Sequence, residues 1–106
     1  KSAKDNGING VVNINPKPLN LKNYSFDNTH INAQRQHNVT REEAEKFMNE
    51  AAVSLTRWNG QFVNYYGENG AVYIDTKNKV IKTAFKKEEF DEKINNFMKV
   101  VLNDGK

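Results

Sequence analysis

Both histidines of the chain, His30 and His37, fall in one stretch, THINAQRQHNVTREE (residues 29–43), with Arg35 between them. Imidazole is the side chain best suited to exchanging a proton near neutral pH, and two of them can serve one reaction as base and acid. A guanidinium holds a phosphate through two parallel hydrogen bonds. Cleavage of RNA through its own 2′-hydroxyl asks for such a set: a base for the 2′ proton, an acid for the 5′ oxygen, and a cation or donor on the crowded phosphorane. Lys82, Thr83 and Tyr73 stand on expected central strands, where they can point at the same phosphate. Trp58, Tyr65 and Tyr66 offer rings on which bases stack, and Arg57 adjoins Trp58.

Other chemistries find less support. His30 and His37 do not have the spacing of two zinc ligands on one helical face, and no cysteine exists to complete a site. Neither GxxxxGK nor GxGxxG occurs, so no nucleotide cofactor is expected. Ser54, His37 and Asp75 make a triad on paper only, because nothing like a nucleophile elbow surrounds the serine. The expected chemistry uses neither metal nor cofactor.

The 106 residues suffice for one domain with a modest core. Six Phe, four Tyr and one Trp argue against a fully disordered chain. A net charge of +3 suits a polyanionic partner without requiring one. No apolar run approaches a membrane span. The opening KSAKDNGING has neither an initiator Met nor the apolar run of a signal peptide, which suggests a piece of a longer chain.

Elements must position these residues. Residues 1–25, rich in Asn, Gly, Lys and Pro, read as a connector, partly extended or disordered, in which VVNI (residues 11–14) is a short strand or lies extended over the core. Residues 30–36 carry weaker helical character. Thr40 and Glu43 form a capping box, and Ala44, Phe47, Met48 and Ala51 recur at helical spacing, which predicts a helix over 41–52. Four strands follow, over 53–58, 61–66, 71–75 and 80–85, joined by Asn59-Gly60, GENG and TKNK turns. The TKNK loop can be counted two ways, so the facing of the last strand stays open. Phe90, Ile94, Phe97, Met98 and Val101 then predict a helix over 87–102. The expected fold is α+β: N-terminal helices packed on a four-stranded antiparallel meander, with a C-terminal helix. With helices on one face, the other is solvated or binds something.

The segments HINAQRQHNVTREEAEKFM, LTRWNGQFVNYYGENGAVYID and VIKTAF resemble the barnase–EndoU–colicin–RelE superfamily of metal-independent RNases. Such domains occur at the C-termini of phage minor head proteins and of polymorphic and contact-dependent growth inhibition toxins. The similarity runs over about residues 26–92 and implies a nuclease domain over 26–106. His30, Arg35, His37, Lys82 and Thr83 match the family's site positions. The resemblance implies that one of His30 and His37 is the base and the other the acid. Arg35 and Lys82 would stabilise the phosphorane, while Thr83 and Tyr73 orient it. It further implies tRNA as substrate, a cognate acidic immunity protein as partner, delivery from a secreted or surface carrier, and action in the target-cell cytoplasm. Two other classes stand beside this reading. One is a non-catalytic nucleic-acid-binding module of a phage structural protein. The other is an ADP-ribosyltransferase-like enzyme, which would want a strand glutamate where only Asp75 is offered.

Overall fold

The computed structural model describes residues 10–104. The chain runs β1 (Val11–Ile14), β2 (Ser25–Phe26), a π-helical turn (Thr29–Gln34), α1 (Arg41–Asn49), β3 (Ala51–Arg57), β4 (Phe62–Gly67), β5 (Gly70–Asp75), β6 (Val80–Lys86), a 3₁₀ turn (Lys87–Glu89) and α2 (Glu92–Asp104). This is an α+β domain. The four-strand meander is present as β3–β6, but it is the middle of a six-stranded sheet in the order β1-β3-β4-β5-β6-β2. β1 pairs antiparallel with β3, and β2 runs parallel to β6 through Ser25↔Val80 and Phe26↔Ile81.

The stretch read as a connector is therefore part of the fold from residue 10 onward, and a boundary at residue 26 would cut through β2. The expectation for residues 1–9 lies outside the described residues. Leu21 and Tyr24 are buried with the core, and Arg41 of α1 donates to the carbonyls of both, at 2.6 Å each. Those two charge-assisted hydrogen bonds pin an otherwise polar segment.

The capping box forms as expected: the Thr40 hydroxyl accepts from the Glu43 amide, and the Glu43 carboxylate accepts from the Thr40 amide. The helix stops earlier than the apolar spacing suggested, because Ala51 and Ala52 belong to β3: Ala51 lies opposite Gly67 of β4, and the Ala52 carbonyl accepts from the Asn15 amide at 2.9 Å. Gly70 is required at the start of β5. A Cβ there would sit 2.6 Å from the Phe47 ring.

Strand alternation sends two side-chain sets to opposite faces. Val63, Tyr65, Val72, Ile74, Ile81 and Ala84 meet Ala44, Phe47 and Met48 of α1, together with Ile31 and Val39. On the other face Val53, Leu55, Tyr66, Ala71 and Phe85 meet Phe97 and Val101 of α2. The expectation of helices on a single face is thus corrected, since each helix covers its own face. Cover on the second face is partial. Beyond the α2 cluster, toward the 58–61 and 76–79 turns, Arg57, Phe62, Tyr73 and Thr83 are half-buried and Lys82 is exposed.

The open question about β6 is answered by a bulge. Tyr73 lies opposite Thr83, but Ile74 lies opposite Ile81, so Lys82 is the extra residue. The bulge reconciles the two ways of counting the loop and sends Lys82 to the α2 face, where its Nζ lies 5.6 Å from the Phe62 ring centroid. The C-terminal helix also begins later than predicted. Residues 87–89 form a 3₁₀ turn, and Asp91 then caps α2 by accepting from the Ile94 amide.

Candidate active site

His37 is placed by the loop between the π-helical turn and α1. Asn32 clasps that loop. Its Nδ2 donates to the Val39 carbonyl at 2.8 Å, and its Oδ1 accepts from the Val39 amide at 2.9 Å. The His37 amide donates to the Ile31 carbonyl, while Gln36 and Asn38 on either side take left-handed φ of 55° and 56°. Ile31 belongs to the α1-face core, yet the His37 ring packs on Phe85 of the other face at 5.6 Å. The loop therefore carries the imidazole around the part of the β6 edge that β2 leaves unpaired.

Nδ1 of His37 lies 2.9 and 3.0 Å from the two carboxylate oxygens of Glu89. A carboxylate accepts, so Nδ1 carries the hydrogen and Nε2 is left to exchange a proton. His37 is 16% exposed and Glu89 42%. The imidazole is held against an apolar ring, and its carboxylate orienter is wet on the outer side.

From Phe85 the array continues to Tyr73, whose ring lies 5.5 Å away. Tyr73 ends a donor chain. Asn64 Nδ2 donates to the Tyr66 hydroxyl, which donates to the Tyr73 hydroxyl, each over 3.2 Å. Tyr73 can therefore turn its own hydrogen outward. Burial, and then the neighbouring Tyr66, push the Tyr73 phenol well above the ordinary tyrosine range; Asp91 adds to the rise and Arg57 opposes it. Tyr73 stays a neutral donor. Thr83 stands directly across from it on β6, and Lys82 follows at the bulge. Arg57, on β3, lies in the next row of the same face, across from Phe62, and nearer the 58–61 turn. Its Nε is buried and has no hydrogen-bond partner in the described structure. A buried guanidinium donor without an acceptor is the kind of group an anion would satisfy.

The expected residues divide. His37, Tyr73, Thr83, Lys82 and Arg57 share the α2 face. His30 is half-buried in the π-helical turn, with no side-chain hydrogen bond among the described residues, and Arg35 is exposed on the loop beyond it. Trp58 is 74% exposed at the tip of the β3–β4 hairpin. Tyr65 and Tyr66 are 2% and 5% exposed and offer no face to a base. Tyr65 points into the α1-face core and donates to the Lys17 carbonyl, and Tyr66 lies beneath Phe97. Ser54, facing away from His37, is 2% exposed. Glu89, Asn64, Phe62 and Asn32 also belong to the site or its supports, and no local pattern singles them out. KKEE reads as a charged helix start, and nothing in a sequence links Glu89 to an imidazole 52 positions earlier.

Among the described residues no group of three or more His, Cys, Asp or Glu is placed to hold a metal ion, and no helix is long and apolar enough to cross a membrane. Compared with protein-family models, curated proteins and solved structures, the chain matches none.

Proposed function

We propose that this chain is a metal-independent endoribonuclease that cleaves RNA by attack of the 2′-hydroxyl on the adjacent phosphate. One observation carries the reading. An imidazole with its Nδ1 held by a carboxylate shares a sheet face with a neutral tyrosine donor, a threonine, a lysine and an arginine Nε that has no hydrogen-bond partner among the described residues. Nε2 of His37 takes the 2′-hydroxyl proton, and the 2′ oxygen bonds to phosphorus. The bond from phosphorus to the 5′ oxygen breaks, and that oxygen takes up a proton. The product ends are a 2′,3′-cyclic phosphate and a 5′-hydroxyl. Arg57 and Lys82 offset charge on the phosphorane, and Tyr73 and Thr83 donate to its oxygens. His30 is the remaining imidazole for the departing oxygen, and Arg35 adds a cation from the same loop.

The sequence resemblance supports the finer terms: tRNA as the RNA, a toxin domain delivered by a larger carrier to a target-cell cytoplasm, and an acidic immunity protein that covers the basic face. Incubation of total tRNA with the protein in EDTA tests the reading. Discrete fragments with cyclic ends are expected. Intact tRNA, held by salt-sensitive binding, would replace the enzyme with a nucleic-acid-binding module.

A further inference from the structure

The β3–β4 hairpin tip is built unlike an ordinary surface turn. Trp58, Asn59 and Gly60 all take positive φ, of 56°, 56° and 95°. Asn59-Gly60 alone would suffice for a type I′ turn, and the Gln61 amide does donate to the Trp58 carbonyl at 3.1 Å. Trp58 is forced into the left-handed region as well, which a bulky residue seldom adopts. The Trp58 ring meets Phe62 edge-on at 6.0 Å and remains 74% exposed. Phe62 is half-buried on the α2 face and has Lys82 over its ring at 5.6 Å. The tip is tied to the next turn, where the Thr76 amide donates to the Gln61 carbonyl at 2.7 Å and the single Thr76 hydroxyl hydrogen goes to the Gly60 carbonyl at 2.7 Å or is shared with that of Gln61 at 2.9 Å. Residues 57–62 and 75–82 bring Arg57, Lys77, Lys79 and Lys82 to this end of the sheet. The one carboxylate among them, Asp75, is 3% exposed and already accepts from Lys77 and Asn78.

We propose that Trp58, braced edge-on by Phe62, is a stacking platform for an unpaired base of the substrate strand, at the other end of the sheet face from the Phe85 ring on which His37 packs, which limits the substrate to single-stranded or loop RNA. The inference rests on the ribonuclease reading and adds to it the class of RNA. An exposed indole can take a base on its face only if that base has left a duplex stack. Arg57 and Lys82 flank the platform and track the backbone, as in single-strand grooves that combine cations with aromatic rings. The fixed turn holds the indole in place before RNA arrives.

The test uses the full chain carrying His37→Ala, so that RNA survives the titration. A fluorescein-labelled single-stranded RNA decamer, and the same strand annealed to its complement, are titrated by anisotropy. In parallel, unlabelled strands are followed through the fluorescence of the chain's single tryptophan. The single strand should quench the indole and bind, while the duplex and inorganic phosphate leave the emission unchanged. Adding Trp58→Ala should weaken single-strand binding on the order of tenfold, and Trp58→Phe should keep most of it. Unchanged affinity in Trp58→Ala, or equal quenching by the duplex, would overturn the platform. If the otherwise native protein with Trp58→Ala still cuts RNA at full rate, only the platform fails. Absence of both RNA binding and RNA cleavage would remove the ribonuclease reading with it.

Discussion

Gly70→Ala is the substitution whose cost can be worked out most directly. A Cβ at residue 70 would stand 2.6, 2.7 and 2.7 Å from three atoms of the Phe47 ring. Carbon atoms rest at about 3.5–4.0 Å, so the ring must retreat by roughly 1 Å. Phe47 is 6% exposed and packed in the α1-face core, which leaves little room for that retreat. Overpacking of this kind costs about 1–3 kcal/mol. Against it, a strand alanine gains roughly 0.5–1 kcal/mol over glycine by restricting the unfolded chain. The net expectation is a loss of about 1–2 kcal/mol, or roughly 5–10 °C in Tm for a domain of this size. Urea and thermal melts followed by far-UV circular dichroism measure it. Phe47→Leu shortens the opposing side chain, so in that background Gly70→Ala should cost less than about 0.5 kcal/mol. Equal costs in the two backgrounds, or a Gly70→Ala protein as stable as the parent, would refute the contact and with it the docking of α1 on the sheet.

Asn32→Ala removes both bonds to Val39 and leaves a backbone pair unsatisfied, at a cost of about 1–3 kcal/mol. Hydrogen exchange at the Val39 amide should accelerate far more than at α1 amides, and equal acceleration would mean the clasp is not local. Asp75 provides a pH dependence. Burial raises its carboxyl, but hydrogen bonds from the Asn78 side chain and backbone, from Gln61 and from the Lys77 amide outweigh this and hold it below the usual aspartate range. Its contribution to stability is therefore present above the unfolded value, about 3.9, and lost as pH falls through the lower folded value. Acid titration of Asp75→Asn should show a shallower decline in that window than the parent, and identical acid limbs would contradict the assignment.

The parts of the fold legible from sequence are those specified locally. Thr40 and Glu43 sit three residues apart, and Asn59-Gly60 carries its own turn geometry, so α1 and the first hairpin could be placed without knowing what they touch. β1 is legible only as one of two alternatives, a strand or an extended segment, and β2 not at all. Val11–Ile14 sits among asparagines and Ser25–Phe26 is two residues long, so only pairing with β3 and β6 makes either a strand. The start of α2 was hidden because Lys87–Glu89 and Asp91 both look like helix openings, and the turn at Phe90 depends on its packing against Phe85 at 5.7 Å. At the site, residue type alone singles out His37, Tyr73, Thr83, Lys82 and Arg57. The bulge that aims Lys82, the Glu89 carboxylate on His37 and the burial of Tyr65 and Tyr66 all arise from tertiary contacts that no local pattern encodes.

The proposed ribonuclease activity depends on His37 as the group that moves the 2′ proton. The direct measurement compares cleavage rates of tRNA in EDTA for the parent, His37→Ala and Glu89→Gln, with melts confirming that each variant is folded. Loss of a general base removes about 10²–10⁴ in rate, so His37→Ala should fall by at least about a hundredfold. Glu89→Gln should fall by less, since the amide still accepts a hydrogen bond from Nδ1. Cleavage with cyclic-phosphate ends at the parent rate in folded His37→Ala would contradict the assignment, whatever the other residues of the face prove to do.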